Sequence, residues 1–366
     1  MRITAAVVHE QEQPFSVEEF ELEEPRAGEV LVRLVGTGVC HTDVIARDQW
    51  YPVPLPVVLG HEGSGVVERV GEGVTKVEEG DHVVLTFNSC GQCPSCKRGK
   101  PAYCLNFFEL NFGGTRLDGT TGISKGGEAV HSHFFGQSSF ASYGLASERS
   151  VVKVPEGAPL ELLGPLGCGV QTGAGAVLNV LHPDAGTAIA VFGTGAVGTS
   201  AIMAARVAGC TTIIGIDVEE SPLELARELG ATHTINSSET DAGEEIANIT
   251  GGGVDYAIET TAAPEVARHA VDALAPLGVC GLVGAAPLGT EFSLGMNDVL
   301  IPGKTVCGIV EGDSIPDVFI PRLIELYNQG RFPFDRLIEF YDLQDIIRAT
   351  EDSEQGRVLK PVLRMP

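Results

Sequence analysis

The stretch "TAIAVFGTGAVGTSAIMAARVAG", residues 187–209, leaves few folds open to this chain. A short apolar run ends at Gly193, glycines recur at Gly195 and Gly198, and a helical pattern follows at once. Without side chains at those three positions the backbone can turn tightly and let a pyrophosphate approach, its charge met by amides at the helix N-terminus. Nineteen residues beyond Gly198, at the end of the predicted strand "TTIIGI", Asp217 offers a carboxylate to both ribose hydroxyls of an adenosine. NAD is therefore expected over NADP. A 2′-phosphate would be repelled by Asp217, Glu219 and Glu220, with no Arg or Lys before Arg227. The bland alternative is a glycine-rich turn beside a surface aspartate. The alternation continues through "SPLELARELGA", "VDYAIET" and "VCGLVGA", which predicts a doubly wound parallel α/β sheet.

The chain before about residue 160 reads differently. Runs such as "EVLVRLVG", "GSGVVERVG" and "DHVVLTF", broken by Gly, Pro and Asp, predict a β-rich module. Within it "SCGQCPSCKRGKPAYC" holds Cys90, Cys93, Cys96 and Cys104, four of the chain's nine cysteines. The spacing C-x2-C-x2-C-x7-C lets four thiolates close around one tetrahedral zinc, the arrangement of a structural site; an iron–sulfur cluster is the chemical competitor. Cys40 in "GVCHTD", His61 and Glu62 in "GHEGSG", and Cys168 in "GPLGCGVQTG" are weak signals singly, since a lone buried Cys or His is commonly a core residue. Together, two thiolates and an imidazole supply three ligands and leave a fourth position open for water or substrate. Cys210, Cys280 and Cys307 lie in apolar contexts and are expected in cores.

A formal net charge of −25 excludes nucleic acid and anionic membrane surfaces as expected partners, because bound phosphates need basic patches. Acidic runs such as "VEEFELEEP" read as solvated faces, and a high-salt habitat would also suit them. No basic stretch followed by an apolar core opens the chain, and every apolar run is interrupted well short of a membrane span, so a cytoplasmic location is expected. In a reducing compartment clustered cysteines point to metal before disulfides.

Taken in order, "GVCHTD", "GHEGSGVVERVG", "CGQCPSCKRGKPAYC", "GCGVQTGAGAVLN" and "GTGAVG" resemble the zinc-dependent medium-chain alcohol dehydrogenases over nearly the whole chain. "RDQWYPVPLPVVLGHEG" further resembles their aryl-alcohol branch, typified by benzyl alcohol dehydrogenase. The resemblance implies a GroES-like catalytic domain of residues 1–169 and 308–366 around a Rossmann domain of residues 170–307, with the active site in the cleft. It places a catalytic zinc on Cys40, His61 and Cys168 and a structural zinc on Cys90, Cys93, Cys96 and Cys104. It implies that Asp43 and Glu62 support the catalytic site and that Thr42 supplies the hydroxyl that bonds substrate alcohol. His41 and Lys360 match positions that contact the pyrophosphate, and Thr172 and Val197 match residues lining the nicotinamide.

The implied chemistry is reversible oxidation of a primary, aromatic or allylic alcohol to the aldehyde: Thr42 takes the proton and the carbon gives a hydride to NAD. Trp50, Tyr51 and Phe87 are candidates to wall an apolar pocket. Ile45 stands where many family members place a histidine that passes the alcohol proton to solvent. Two other readings compete, thiol-dependent formaldehyde oxidation on the same scaffold and a non-catalytic binder of zinc and nucleotide. A homo-oligomer, dimer or tetramer, is expected. Residues 106–140 read as a long loop without an assignable role, in which His131 and His133 belong to the surface more readily than to an extra metal pair.

Overall fold

Strand Glu29–Gly38 organises the N-terminal part of the chain, because it is long, mostly buried and paired on both edges. The computed structural model describes all residues 1–366 and divides into two units. The first comprises Met1–Cys168, Ile315–Ile324 and Asp335–Pro366; the second comprises Gly169–Ser314 and Glu325–Phe334.

In the first unit Glu29–Gly38 pairs antiparallel with Gly63–Val70, Tyr143–Ser147 and the last strand, Lys360–Arg364, whose Val362 stands opposite Gly38. Ile338–Asp342 adds to this sheet beyond Lys360–Arg364, and His82–Leu85 and Val151–Lys153 extend its other side. A second sheet runs Val57–Val58, Arg2–Val8, Ser16–Leu22, Ile123–Lys125, Glu128–Val130. Alternation of Val, Leu and Ile with polar residues gives each sheet an apolar face, and these faces fill the cores around Val30, Val32, Leu85 and around Ile3, Val7, Phe20.

The expected long loop is ordered by packing. It contributes the helix Phe107–Phe112, two short strands and a turn at Phe134–Gly136, with Phe112, Phe134, Phe135 and Phe140 buried. Arg116 ties it down by reaching Glu29 at the start of the organising strand. His131 and His133 are both engaged, His131 Nδ1 with Pro56 O at 3.1 Å and His133 with Ser132 and Glu29.

The second unit holds six strands, all parallel, in the order His233–Asn236, Thr212–Asp217, Ala188–Phe192, Val254–Glu259, Leu274–Leu282, Thr305–Gly308. Apolar runs such as "TIIGID" form them because helices cover both faces. The order reverses beside Ala188–Phe192, where a crevice opens at the strands' carboxyl ends. This unit runs past the expected boundary at residue 307 to Ser314. The cause is close contact: a Cβ on Gly175 would lie 2.2 Å from the carbonyl oxygen of Gly312.

Candidate active site

Asp43 assembles the first cluster. It sits in the helix His41–Arg47, fully buried, and its Oδ2 accepts the Cys40 amide at 3.0 Å. Its Oδ1 accepts the Gly60 amide at 3.0 Å and bonds His61 Nδ1 at 2.9 Å. One carboxylate thus fixes a thiol, a tight turn and an imidazole. The turn needs glycine, since Gly60 has φ +89° and a Cβ there would lie 2.4 Å from the Phe140 amide nitrogen. Cys168 arrives from the 3₁₀ turn Gly164–Gly167, pressed so closely on strand His82–Leu85 that a Cβ at Gly167 would lie 2.0 Å from Leu85 O.

The ligand atoms of Cys40, His61, Glu62 and Cys168 all lie within 4.8 Å of one another. His61 Nε2 is buried and makes no hydrogen bond, an orphaned nitrogen aimed into that convergence. The surroundings favour positive charge there. Burial acts against a charged His61, yet Asp43 and the Cys40 sulfur outweigh it and hold the pKa well above the ordinary imidazole value. Cys40 is drawn well below the usual thiol range, first by its hydrogen bond with Cys168, against burial, and then by the charges of Lys360 and His61. Two thiolates and an imidazole oriented through its other nitrogen are a fitting donor set for zinc.

Glu62 does not stand alone. Lys360, 3% exposed, donates to both Glu62 oxygens at 3.0 Å and to Val39 O at 3.1 Å, which uses all three ammonium protons. In this structure the Lys360 ammonium faces Glu62 and Val39 O, so the pyrophosphate contact that resemblance implies requires it to exchange one of these partners for the phosphate. His41 is exposed and its ring meets Trp50 edge-on at 6.2 Å.

The aromatic surroundings were only partly expected. Phe135 lies tilted over the His61 ring at 4.5 Å and Phe134 meets it edge-on at 5.5 Å. Phe107 packs on Phe135 at 6.3 Å, and Phe87, buried as part of the core, packs on Phe107 at 6.2 Å. Tyr51 packs against Phe108 and Phe112, while Trp50 remains 45% exposed. Gln137 was not anticipated either: its amide donates to His61 O at 2.9 Å and to Thr86 O, and its oxygen accepts from Gly63 N. Their common signal is "HFFGQ", an aromatic pair and an amide beside a glycine, inside the segment expected to be a loop. Thr42 Oγ1 stands 3.8 Å from Cys40 Sγ, and Ile45 is buried at 1% exposure.

The second cluster gathers Cys90, Cys93, Cys96 and Cys104, whose sulfurs also lie within 4.8 Å of one another. No cysteine in the chain is paired in a disulfide. Amides converge on the sulfurs, Cys93 N on Cys90 Sγ at 3.3 Å, Cys96 N on Cys93 Sγ at 3.5 Å and Cys90 N on Cys104 Sγ at 3.3 Å. Cys93 is pulled down to about 6, first by the Cys96 amide. Four sulfurs without a fifth position form a closed cage. Cys210 and Cys280 are buried and Cys307 half-buried, each raised in pKa by burial, as core thiols are.

In the second unit the glycine turn has the geometry a dinucleotide needs. Gly193 has φ +88°, a Cβ at Gly198 would lie 1.8 Å from Gly193 O, and Gly195 faces open space. Asp217 Oδ2 accepts from the Thr194 amide at 2.7 Å and hydroxyl at 2.9 Å, and its Oδ1 accepts from the Val218 amide at 2.8 Å. A pocket of about 110 Å³ beside it is lined by Gly193, Asp217, Val218, Thr261 and His269. The helix Gly169–Gly175, which carries Thr172, packs on Val197 just after this turn, since a Cβ at Gly173 would lie 2.0 Å from Val197 O.

A zinc-ready centre on one unit and a dinucleotide turn on the other define a metal-dependent, nucleotide-linked oxidoreductase. Residues 26–156 match the alcohol dehydrogenase GroES-like domain, and residues 196–329 match the zinc-binding dehydrogenase domain. Geraniol dehydrogenase of Castellaniella defragrans is 45% identical over 361 residues, 98% of this chain and 96% of that protein. The crystal structure of benzyl alcohol dehydrogenase from Acinetobacter calcoaceticus superposes with a TM-score of 0.97 at 49% identity, covering 100% of both chains. That of an alcohol dehydrogenase zinc-binding domain protein from Burkholderia ambifaria does so with a TM-score of 0.99 at 58% identity, covering 100% of this chain and 99% of that one. The chain belongs to the zinc-dependent alcohol dehydrogenases, with a GroES-like and a Rossmann-type domain.

Proposed function

We propose that this dehydrogenase reversibly oxidises primary alcohols bearing an aromatic or allylic group to aldehydes, with NAD as hydride acceptor. The observation that carries the reading is the buried, unpartnered His61 Nε2 converging with Cys40 and Cys168 under the Phe135 ring. Cys40, His61 and Cys168 would hold the catalytic zinc, which when bound supplies Lewis acidity that makes an alcohol hydroxyl a stronger acid. Cys90, Cys93, Cys96 and Cys104 would hold a second, structural zinc.

The chain's own groups do the rest. Asp43 keeps the imidazole oriented through Nδ1, so Nε2 stays available as a ligand. Thr42, beside Cys40, accepts the alcohol proton on Oγ1 and passes it on from its own hydroxyl. Phe134 and Phe135 exclude water from the ligand histidine, and together with Phe107 and Phe87 they favour a flat, apolar substituent. Relatives that act on geraniol and benzyl alcohol support an allylic or aromatic substrate. Asp217, with Glu219 and Glu220 beyond it, favours NAD over NADP.

The reading includes a homo-oligomer. Strand Thr305–Gly308 is the last in its sheet's order, and Leu277, Met296, Leu300 and Ile301 in the same stretch of chain are exposed, a surface suited to a second copy. Nine free thiols suit the reducing cytoplasm.

Absorbance of NADH is the test, with purified protein, NAD and matched concentrations of benzyl alcohol, geraniol and ethanol. Preference for the first two supports the reading. Activity confined to ethanol removes the aromatic pocket, and activity only with formaldehyde plus a thiol moves the substrate to the hydroxymethyl adduct.

A further inference from the structure

Glu311 is a buried carboxylate, 8% exposed, that the reaction as described does not use. Its Oε2 accepts long hydrogen bonds from Gln171 Nε2 at 3.4 Å and Thr172 Oγ1 at 3.5 Å. The backbone that delivers it is strained. Glu311, Gly312 and Asp313 follow one another at φ +50°, +61° and +52°, a left-handed region that side chains other than glycine seldom enter.

The segment is held there from several directions. A Cβ on Gly312 would lie 2.3 Å from Gln171 O, Gly175 is equally tight against Gly312, and Asn179 Nδ2 donates to Gly312 O at 3.1 Å. The helix Gly169–Gly175 that carries Gln171 and Thr172 in turn abuts Val197 at the dinucleotide turn. An acidic side chain has thus been brought inward, through strained backbone, onto two polar residues beside the cofactor site. A surface carboxylate would need none of this.

We propose that Glu311 sets the charge preference of the nicotinamide site, stabilising the cationic ring of NAD⁺ over the neutral ring of NADH. This rests on the reading that Thr172 lines the nicotinamide. The ring carries a full positive charge in NAD⁺ and none in NADH, so a nearby carboxylate acts on one form only. Screened by a partly polar interior, one such charge several ångströms away is worth about tenfold in relative affinity. Glu311 is a positioning residue in addition: by accepting the hydrogen bond from Thr172 Oγ1 it turns the hydroxyl's lone pairs away from itself.

Calorimetric titration of the full-length protein with NAD⁺, NADH and ADP-ribose, which lacks the nicotinamide, tests this. Glu311→Gln is expected to weaken NAD⁺ about tenfold while NADH and ADP-ribose change less than about twofold, and Glu311→Asp is expected to keep the preference for NAD⁺. Glu311→Ala serves the same comparison where the glutamine variant does not fold. An unchanged ratio of NAD⁺ to NADH affinity, or parallel loss of all three ligands, would overturn the proposal. Thr172→Val separates the two layers: if it alters neither dinucleotide relative to ADP-ribose, the nicotinamide lies elsewhere and the placement fails. Absence of ADP-ribose binding to the unaltered protein would sink the cofactor reading itself.

Discussion

Lys360 and Glu62 form a buried ion pair where Glu62 converges with Cys40, His61 and Cys168, the ammonium 3.0 Å from each carboxylate oxygen and the lysine 3% exposed. Removing one partner of such a pair strands the other charge. Lys360→Met should therefore destabilise the protein by about 3–5 kcal/mol, whereas Lys360→Met with Glu62→Gln should recover much of the loss. Denaturant unfolding of the single and double variants measures both. Equal stability of the single variant and the parent would mean that Glu62 finds its compensation elsewhere.

The two sulfur clusters should report separately on metal content. Cys168→Ser is expected to lower bound zinc from two ions per chain to one and to abolish alcohol oxidation, with NAD binding retained. Cys96→Ser should also leave one ion, and should lower thermal stability, since a closed metal cage contributes folding energy directly. Metal analysis beside unfolding curves distinguishes the two losses.

Gly198→Ala tests the glycine turn. The added methyl would stand 1.8 Å from the Gly193 carbonyl oxygen, which is backbone and cannot swing aside. Loss of NADH binding by at least about a hundredfold is expected, read by fluorescence titration, with a cost of about 1–3 kcal/mol in stability. Gly195→Ala, which meets nothing within 4 Å in this structure, should fold normally and impair only the ligand's approach.

Glu29 gives the protein an acid-sensitive strut. Burial alone would raise its pKa, but hydrogen bonds from His133, Arg116 and the Arg26 amide outweigh it and bring it to about 2. A depressed carboxylate stabilises fully above its ordinary value near 4.5 and loses that contribution as pH falls toward 2. Glu29→Gln should lower the melting temperature at pH 7, and the gap between variant and parent should close between pH 4.5 and 2. A gap independent of pH would assign the effect to packing.

Ile45→His places an imidazole at a site 1% exposed. A polar ring buried this deeply lacks hydrogen-bond partners on the surrounding apolar side chains, so the substitution should cost about 1–3 kcal/mol and leave the oxidation rate below neutral pH unimproved. A faster rate at pH 6 would show that solvent reaches this position during turnover.

Local spacing carries much of this site. The glycine turn, the four-cysteine loop and the strand alternation each lie within a few residues of sequence, where geometry follows from neighbours. Asp43, His61 and Gln137 are different, because their contacts cross 18 and 76 residues and depend on how strands pair. Lys360 is the sharpest case. Its position in sequence says nothing of Glu62, 298 residues away, a partner set only when Lys360–Arg364 pairs with Glu29–Gly38. The segment around Phe134 looked like a loop because its buried aromatics follow no period of a helix or strand.

That last strand has a consequence for how the molecule is made. Lys360 bonds the carbonyl of Val39 across 321 residues, so the sheet whose strand Glu29–Gly38 leads into Cys40 lacks an interior strand until translation is nearly finished. At ribosomal speeds the delay is on the order of tens of seconds, during which Gly169–Ser314, the larger of the second unit's two segments, has time to begin folding. Throughout that interval Gly36–Gly38, the part of the strand's edge that Tyr143–Ser147 does not cover, waits for its partner, and the nascent chain must be kept from pairing it with anything else.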